Sequence, residues 1–487
     1  MFQRFFRWLK GVVGKLIRPD TFRQHHIDVA TSDVMIAAID RWMAMYQGDA
    51  PWLKHSDISL GLPAKIAQEI ARMVTLEFSV TVTGSGRADW LSGQIQPVSD
   101  DLRRSVEYAC AGGGLVFKPY VDGTDIAVDC VLANDFYPTS FNSRKEITGA
   151  VFVERKNVGK KQYTRLEYHQ IDTQPASDGK RSTGRYIIQN KAFVGEGDND
   201  CSREVALTDV DEWASLEPIT TIENVDFPLF GYLRIPLGNT VDPKSPIGVS
   251  VYEKATKNIR EADLQYQRLL WEYEGGEMAI DAVEDAFITD PKTNEVRLPA
   301  GKERLFRPNL LDPKTLNAES LFKTFAPTLR DSNYGNGLNK LLQLVEDDCG
   351  ISRGTFSDPE KDARTATEIK TQKQRTYSTV TDIQKATQTA LDALLRAMDA
   401  LCTLYKMQPA GTYSAAYLWD DSIVVDSDAE RMSDLNDVRN GLMRKWEYRM
   451  KWYGEDEKTA KAVIAEIAAA DESDDALMGF ANTQQEG

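Results

Sequence analysis

The chain offers four imidazoles for acid–base or metal chemistry, His25, His26, His55 and His169, among 487 residues. None falls in an H-E-x-x-H or H-x-E arrangement, the spacings that gather ligands and a base around zinc, so a zinc or histidine-based site is not expected. Gly112, Gly113 and Gly114 form a run without the G-x-x-x-x-G-K-[ST] pattern that cradles phosphates, and a turn or tight strand start is the better reading. Lacking that loop, the chain has no P-loop route to ATP hydrolysis, and any motor work must come from a partner. Asp198 and Asp200, in GEGDNDCSRE, have the oxygen density of a calcium loop without the Gly and Glu placement of an EF-hand; a solvated hairpin tip is expected. Asp420, Asp421 and Asp426 are the acids best suited to a magnesium-dependent nuclease, but Ile423, Val424 and Val425 between them read as a strand. Five scattered cysteines, Cys110, Cys130, Cys201, Cys349 and Cys402, make neither a disulfide framework nor a C-x-x-C pair, which favours a reducing compartment. The expectation is therefore no catalytic site, no metal and no cofactor.

The segment with the clearest character is polar and precedes a very long helix. ISRGTFSDPEKDA has no core to build, and the stretch after it, Arg364 to Tyr405, carries the T-x-x-E spacing of a capping box at Thr365 and Glu368. Tyr377, Val380, Gln384, Thr387, Leu391, Leu394, Met398, Leu401 and Tyr405 follow a 3-4 spacing along one helical stripe. That stripe is polar first and apolar later, so its Thr- and Gln-rich half is expected to meet a wet surface or a neighbouring subunit.

Length corresponds to about three domains, and 42% hydrophobic residues suffice for a real core. No run reaches the roughly 18 apolar residues of a membrane span. The N-terminal MFQRFFRWLKGVVGKLIRP is basic and amphipathic but lacks a small-residue cleavage site, so neither secretion nor membrane attachment is expected. A net charge of −16 argues against wrapping nucleic acid, because holding phosphates needs a positive footprint. It suits a surface that lets DNA slide past, where few counterions are released.

The elements follow in order. Ile36, Ile39, Met43 and Tyr46 fit one helical face, and LPAKIAQEIARMVTLEF opens a second helix at Pro63. From Ser79 to about Leu237 short alternating runs divided by Gly, Asp and Asn predict an antiparallel sheet, interrupted by a helix in DDLRRSVEYACAGG. The spacing from Ile147 to Val194 predicts meandering hairpins rather than βαβ crossovers. A long helix is expected from Ser245 and Pro246, as N-cap and first position, to Gly275–Gly276. Pro291, Pro299, Pro308 and Pro313 then break the chain into a small insert, after which YGNGLNKLLQLVEDDCG gives a helix ended by Gly350. The fold class is α+β.

Four passages in this order resemble tailed-bacteriophage portal proteins, of the branch related to the portals of Gram-positive-host siphophages: IDRWMAMYQGDAPW with AKIAQEIARMVTLE, PIGVSVYEKATKNIREADLQYQRLLWEYE, TATEIKTQKQRTYSTVTDIQ, and WDDSIVVDSDAERMSDLNDVRNGLMRKWEYRMKWYG. The resemblance covers nearly the whole chain, although no single passage is a catalytic signature. It implies a portal-type multidomain subunit of wing, stem, clip and crown, assembled as a homo-oligomeric, dodecameric ring with a central channel. It assigns 1–244 to the wing, 245–275 and 335–350 to two stem helices, 276–334 to the clip, 351–364 to a tunnel loop, 365–406 to a long helix behind the channel, and 407–487 to crown and periphery.

The role implied is a conduit at one capsid vertex. Double-stranded DNA would be driven inward by the terminase large subunit and later ejected, with capsid, scaffolding and head-completion or adaptor proteins as partners and no membrane. The site would be the virion, after assembly in the host bacterial cytoplasm. The resemblance puts Arg353, Gly354, Thr355, Ser357, Asp358, Glu360, Lys361, Asp362 and Arg364 on the DNA-facing loop, and Lys292, Glu295, Arg297, Lys302, Glu303 and Arg304 on a motor-facing clip. A peripheral capsid or adaptor protein is the competing structural class, and it would lack a loop between paired helices and a channel.

Overall fold

The computed structural model describes residues 28–54, 57–159, 161–174, 183–195, 203–283, 288–289, 296–297, 305–309, 322–358, 366–419 and 427–467. They form two compact units, 1–419 and 420–487.

In the first unit α1 (Asp33–Tyr46) buries Met35, Ile36, Ile39, Trp42 and Met43, and α2 (Leu62–Val74), with proline in its first turn, buries Ile66, Ile70 and Val74. Strand β1 (Ser79–Gly84) leads into α3 (Gly86–Asp100), which the sequence reading did not anticipate, and then into α4 (Leu102–Gly112). Gly113 ends α4 with φ +87°, and a Cβ there would lie 2.8 Å from the Val249 backbone, so both conformation and clearance require glycine.

Two antiparallel sheets follow. β2 (Gly114–Asp122) stands between β3 (Asp125–Leu132) and β10 (Gly231–Arg234). The larger sheet runs β4 (Phe136–Phe141), β5 (Ile147–Val158), β6 (Lys161–Gln174), β7 (Thr183–Gly195) and β8 (Arg203–Val205), with β9 (Ile219–Glu223) also on β7. β5, β6 and β7 are successive antiparallel neighbours, which is the meander that the alternation between Ile147 and Val194 predicts. Ile36, Tyr137, Val151, Leu166 and Phe193 fill one side of this sheet; Phe136, Phe152 and Phe230 pack with Val116 of β2 in a second cluster.

Helix α5 (Thr256–Gly275) begins ten residues later than its sequence suggests. Ser245 does act as a cap, but of a local turn, accepting from the Ile247 N–H at 3.3 Å, and its spacing imitates a helix start. After α5 come β11 (Ala279–Val283), β12 (Ile288–Thr289), β13 (Val296–Arg297), β14 (Phe306–Asn309) and β15 (Phe322–Phe325). β11 is central to β14 and β15, and β12 pairs with β13.

Helix α6 (Asp331–Cys349) returns antiparallel along α5, since Asn258 meets Asp348, Gln265 meets Tyr334, and Glu272 takes Arg330. The pair therefore carries the insert at its far end. Glu272 binds the Arg330 guanidinium at 3.0 and 2.7 Å and its N–H at 3.1 Å, which locks the junction where insert meets helices.

Helix α7 (Ala366–Leu404), 39 residues long, lies across β2 and β10, with Gly231 admitting it: a side chain there would collide with the Ala390 carbonyl. Its stripe corrects the expectation of a wet polar half. From Thr376 onward Val380, Ile383, Gln384 and Thr387 are buried in the subunit's own core. The polar members are tolerated because each is satisfied: Gln384 donates to the Val74 carbonyl at 3.3 Å and Thr387 to the Ile383 carbonyl at 2.8 Å. The side chains of 366–373 and the capping residue Thr365 lie outside the described residues.

Strand β16 (Tyr413–Leu418) closes the unit on β1, which places 407–419 with the first unit. The second unit contains α8 (Ser427–Arg439) and α9 (Lys445–Tyr453), bridged by Lys451 and Trp452 to Asp434, and residues 457–467 are helical.

Candidate functional site

The polar segment after α6 is folded against its helix. Gly350, at φ +71°, takes the left-handed position, its N–H donates to Asp347 O at 3.3 Å, and the Ile351 N–H reaches back to Glu346 O at 2.9 Å. These are the paired bonds of a Schellman turn, which usually sets an apolar residue at the position of Glu346. Here that residue is an acid with 0% exposure.

Its carboxylate replaces the apolar contact with hydrogen bonds. Oε1 accepts from the N–H groups of Phe356 at 2.5 Å and Ser357 at 2.8 Å; Oε2 accepts from the Gly354 N–H at 3.2 Å and the Ser357 hydroxyl at 2.7 Å. Backbone N–H groups converging on one anion form a nest, and the chain fills it with its own carboxylate. Gly354, at φ +92°, supplies the backbone conformation the nest needs.

The next residue repeats the device with charge. Asp347 takes Arg353 through Nε at 3.2 Å to each oxygen and through a terminal nitrogen at 2.6 Å, and takes Arg375 of α7 at 3.0 Å. The Arg353 hydrogen bonds, aided by both positive charges against some burial, hold the Asp347 carboxyl below the usual carboxylate range. Elsewhere on the loop the Ser352 N–H donates to Thr376 Oγ1 at 2.9 Å, Thr355 Oγ1 to the Ser352 carbonyl at 2.7 Å, and the Asp358 N–H to Asn339 Oδ1 at 2.7 Å. The described part of the loop is thus tied to α7 at its start, through Ser352, and to α6 from Arg353 to Asp358.

These contacts sort the residues singled out from the sequence. Gly354, Thr355 and Asp358 are exposed; Arg353 is half-buried on Asp347; Ser357 is buried on Glu346. Glu360, Lys361, Asp362 and Arg364 lie outside the described residues. Arg297 pairs through its backbone with Ile288, and its side chain, like Lys292, Glu295, Lys302, Glu303 and Arg304, lies outside them. So do Asp198, Asp200, Asp420, Asp421 and Asp426, along with His25, His26 and His55. A cavity of about 230 Å³ opens beside the site, lined by Glu253, Lys254, Asp347, Asp348, Cys349 and Arg375 among others.

No family model matches the chain, and no curated protein matches it. Among solved structures it is similar to a chain described as "Neck of native GTA particle computed with C12 symmetry", at 11% identity and a TM-score of 0.34 over 84% of this chain and 91% of that one.

One further polar cluster lies within the large sheet. His169 contacts Glu167 through Nε2 and Tyr186 OH through Nδ1, both at 2.7 Å, and Glu167 also takes Lys118 at 2.7 Å and Arg165 at 3.1 Å. Burial pushes the His169 pKa down, so the neutral ring donates from Nε2 to Glu167 and accepts from the tyrosine. Among the described residues no group of three His, Cys, Asp or Glu side chains is placed to hold a metal ion, and no helix is long and apolar enough to cross a membrane.

Sequence reasoning missed Glu346, Asp347, Arg375 and Asn339. The available signal was E-D-D-C-G, acids crowded into the last turn of a helix, where the macrodipole disfavours negative charge. Such acids need partners, and the loop that follows supplies them.

Proposed function

We propose that the chain is a portal-type subunit: copies form a ring at one capsid vertex, and double-stranded DNA passes through its centre. The observation that carries this reading is an arrangement. Two antiparallel helices, α5 and α6, hold a small β insert at their far end, and the chain leaves α6 through a tightly held polar loop into the 39-residue α7. The order agrees with the four sequence passages that resemble portals. A β-sheet body anchors α7, so the loop is borne by rigid elements.

In this reading the chain acts as conduit and docking platform and performs no catalysis. The insert would meet the terminase motor, and the loop between α6 and α7 would line the channel. Negative-stain electron microscopy of the purified protein tests it: a ring with an axial hole is expected, and a stable monomer that cuts DNA when given magnesium would sink it. Deleting Gly354–Asp362 should leave rings intact and block DNA filling of capsids; normal filling would remove the loop from the mechanism.

A further inference from the structure

The loop carries groups suited to grip a phosphate, and acids of α6 already occupy them. A guanidinium meets a carboxylate in the same fork-like geometry with which it meets a phosphate, and backbone nests take either anion. Asp347 holds Arg353 and Arg375, while Glu346 fills the nest made by Gly354, Phe356 and Ser357. Neither arginine is sealed away, with side-chain exposures of 34% and 57%. We infer that Asp347 is an intramolecular surrogate for a phosphate, and that Arg353 and Arg375 form a latent binding site for the duplex DNA backbone that Asp347 keeps closed. This rests on the reading of the loop as the segment facing the duplex.

The masking has a physical purpose in a conduit. Each phosphate neutralised by a free cation releases counterions and deepens binding, and in a ring the effect multiplies by the number of copies. Two open arginines per subunit would clamp a duplex that must slide. With Asp347 shared between them, the exposed residues in the described part of the loop are Gly354, Thr355 and Asp358, none of which carries a positive charge.

The test compares full-length wild type, Asp347→Asn and Asp348→Asn in binding a fluorescent duplex of about 20 base pairs over a range of sodium chloride concentrations. Asp348 is the control: the variant changes charge equally at the next position, where the acid is held by Asn258 and not by an arginine. Asp347→Asn should bind roughly tenfold tighter at low salt, with a slope of log affinity against log salt steeper by about one per phosphate gained. Asp348→Asn should match wild type. Equal affinity and slope for all three, or an equal gain in both variants, would overturn the inference. Should Asp347→Asn fail to fold, Arg353→Gln with Arg375→Gln in the otherwise native chain decides it: unchanged DNA binding supports masking, and a loss shows that the arginines already grip DNA. Micrographs of the same wild-type sample judge the ring separately, so a tighter Asp347→Asn without rings would retain the masked site and discard the portal reading.

Discussion

Glu346 sits where no water reaches, and its carboxyl oxygens are met by backbone N–H groups and one hydroxyl, with no cationic side chain on them. Hydrogen bonds to a charged acceptor contribute about 1.5–3 kcal/mol each, and a buried N–H left without a partner costs a similar amount. Glu346→Ala would orphan the Phe356 and Ser357 amides, yet the loop can swing to water, so the loss should be local. We expect those two amides to exchange at least ~100-fold faster in the variant, while denaturation of the sheet core shifts little. Hydrogen-exchange mass spectrometry checks both halves, and slow exchange at 354–357 in the variant would contradict the latch.

His169 gives a second outcome at this scale. Its pKa is lowered by burial, so on acidification the unfolded chain binds a proton before the folded one does. Stability is then fully present above the ordinary imidazole value of about 6.5 and is lost as pH falls from there towards the lowered folded value, with a slope of at most about 1.4 kcal/mol per pH unit. Urea midpoints from pH 7.5 to 5 should fall in wild type and flatten in His169→Gln, and parallel curves would reject the assignment.

Among elements, α7 depends on a side chain far away in sequence. Arg87, in the first turn of α3, is 3% exposed and donates to the carbonyls of Asp399, Gln408 and Pro409 and to Thr403 Oγ1, with the Asp399 carboxylate at 3.1 Å. A cation at a helix C-terminus satisfies the unpaired carbonyls and complements the dipole. Arg87→Leu should lower stability by roughly 2–3 kcal/mol, read as a fall in the urea midpoint, because four part-buried hydrogen bonds from one buried guanidinium are lost together, while the half-open Asp399 can still reach water.

This anchor also shows where the sequence was legible. The alternation of β5 to β7 and the period of α1, α2 and α7 reflect burial on one face, which sequence records directly. Helix α3 escaped because Gly86, Gly93 and Pro97 are poor helix formers, overridden by burial of Leu91, Ile95 and Val98. β16 escaped because YSAAYL has no strong strand former besides tyrosine and exists by pairing with β1, more than 300 residues away. The loop was found as polar with no core to build, but the side chains that hold it were not: nothing periodic announces that a carboxylate will be capped by N–H groups eight to eleven residues downstream.

For the whole molecule, the helical pair makes the insert separable from the body. Leu329 packs against Gly276, and Arg330 is fixed on Glu272, so the ends of α5 and α6 are already together without help from the strands between them. The three-stranded insert sheet is completed by its own strands, β14, β11 and β15. An antiparallel helical hairpin closes with a loop of about 2–5 residues. Replacing 278–328 by a short Gly-Ser linker should therefore leave the body folded, with a thermal midpoint within about 3 °C of the intact protein by calorimetry, a shift that corresponds to less than about 2–2.5 kcal/mol at roughly 2.1 cal/mol/K of unfolding entropy per residue. On the portal reading the same variant should form rings and fail to engage the terminase motor, because the body that brings copies together remains and the surface presented to the motor is gone. Rings that still package DNA would move the motor contact elsewhere on the subunit. Loss of folding would mean that the insert, and not the Glu272–Arg330 junction, holds the two helices together.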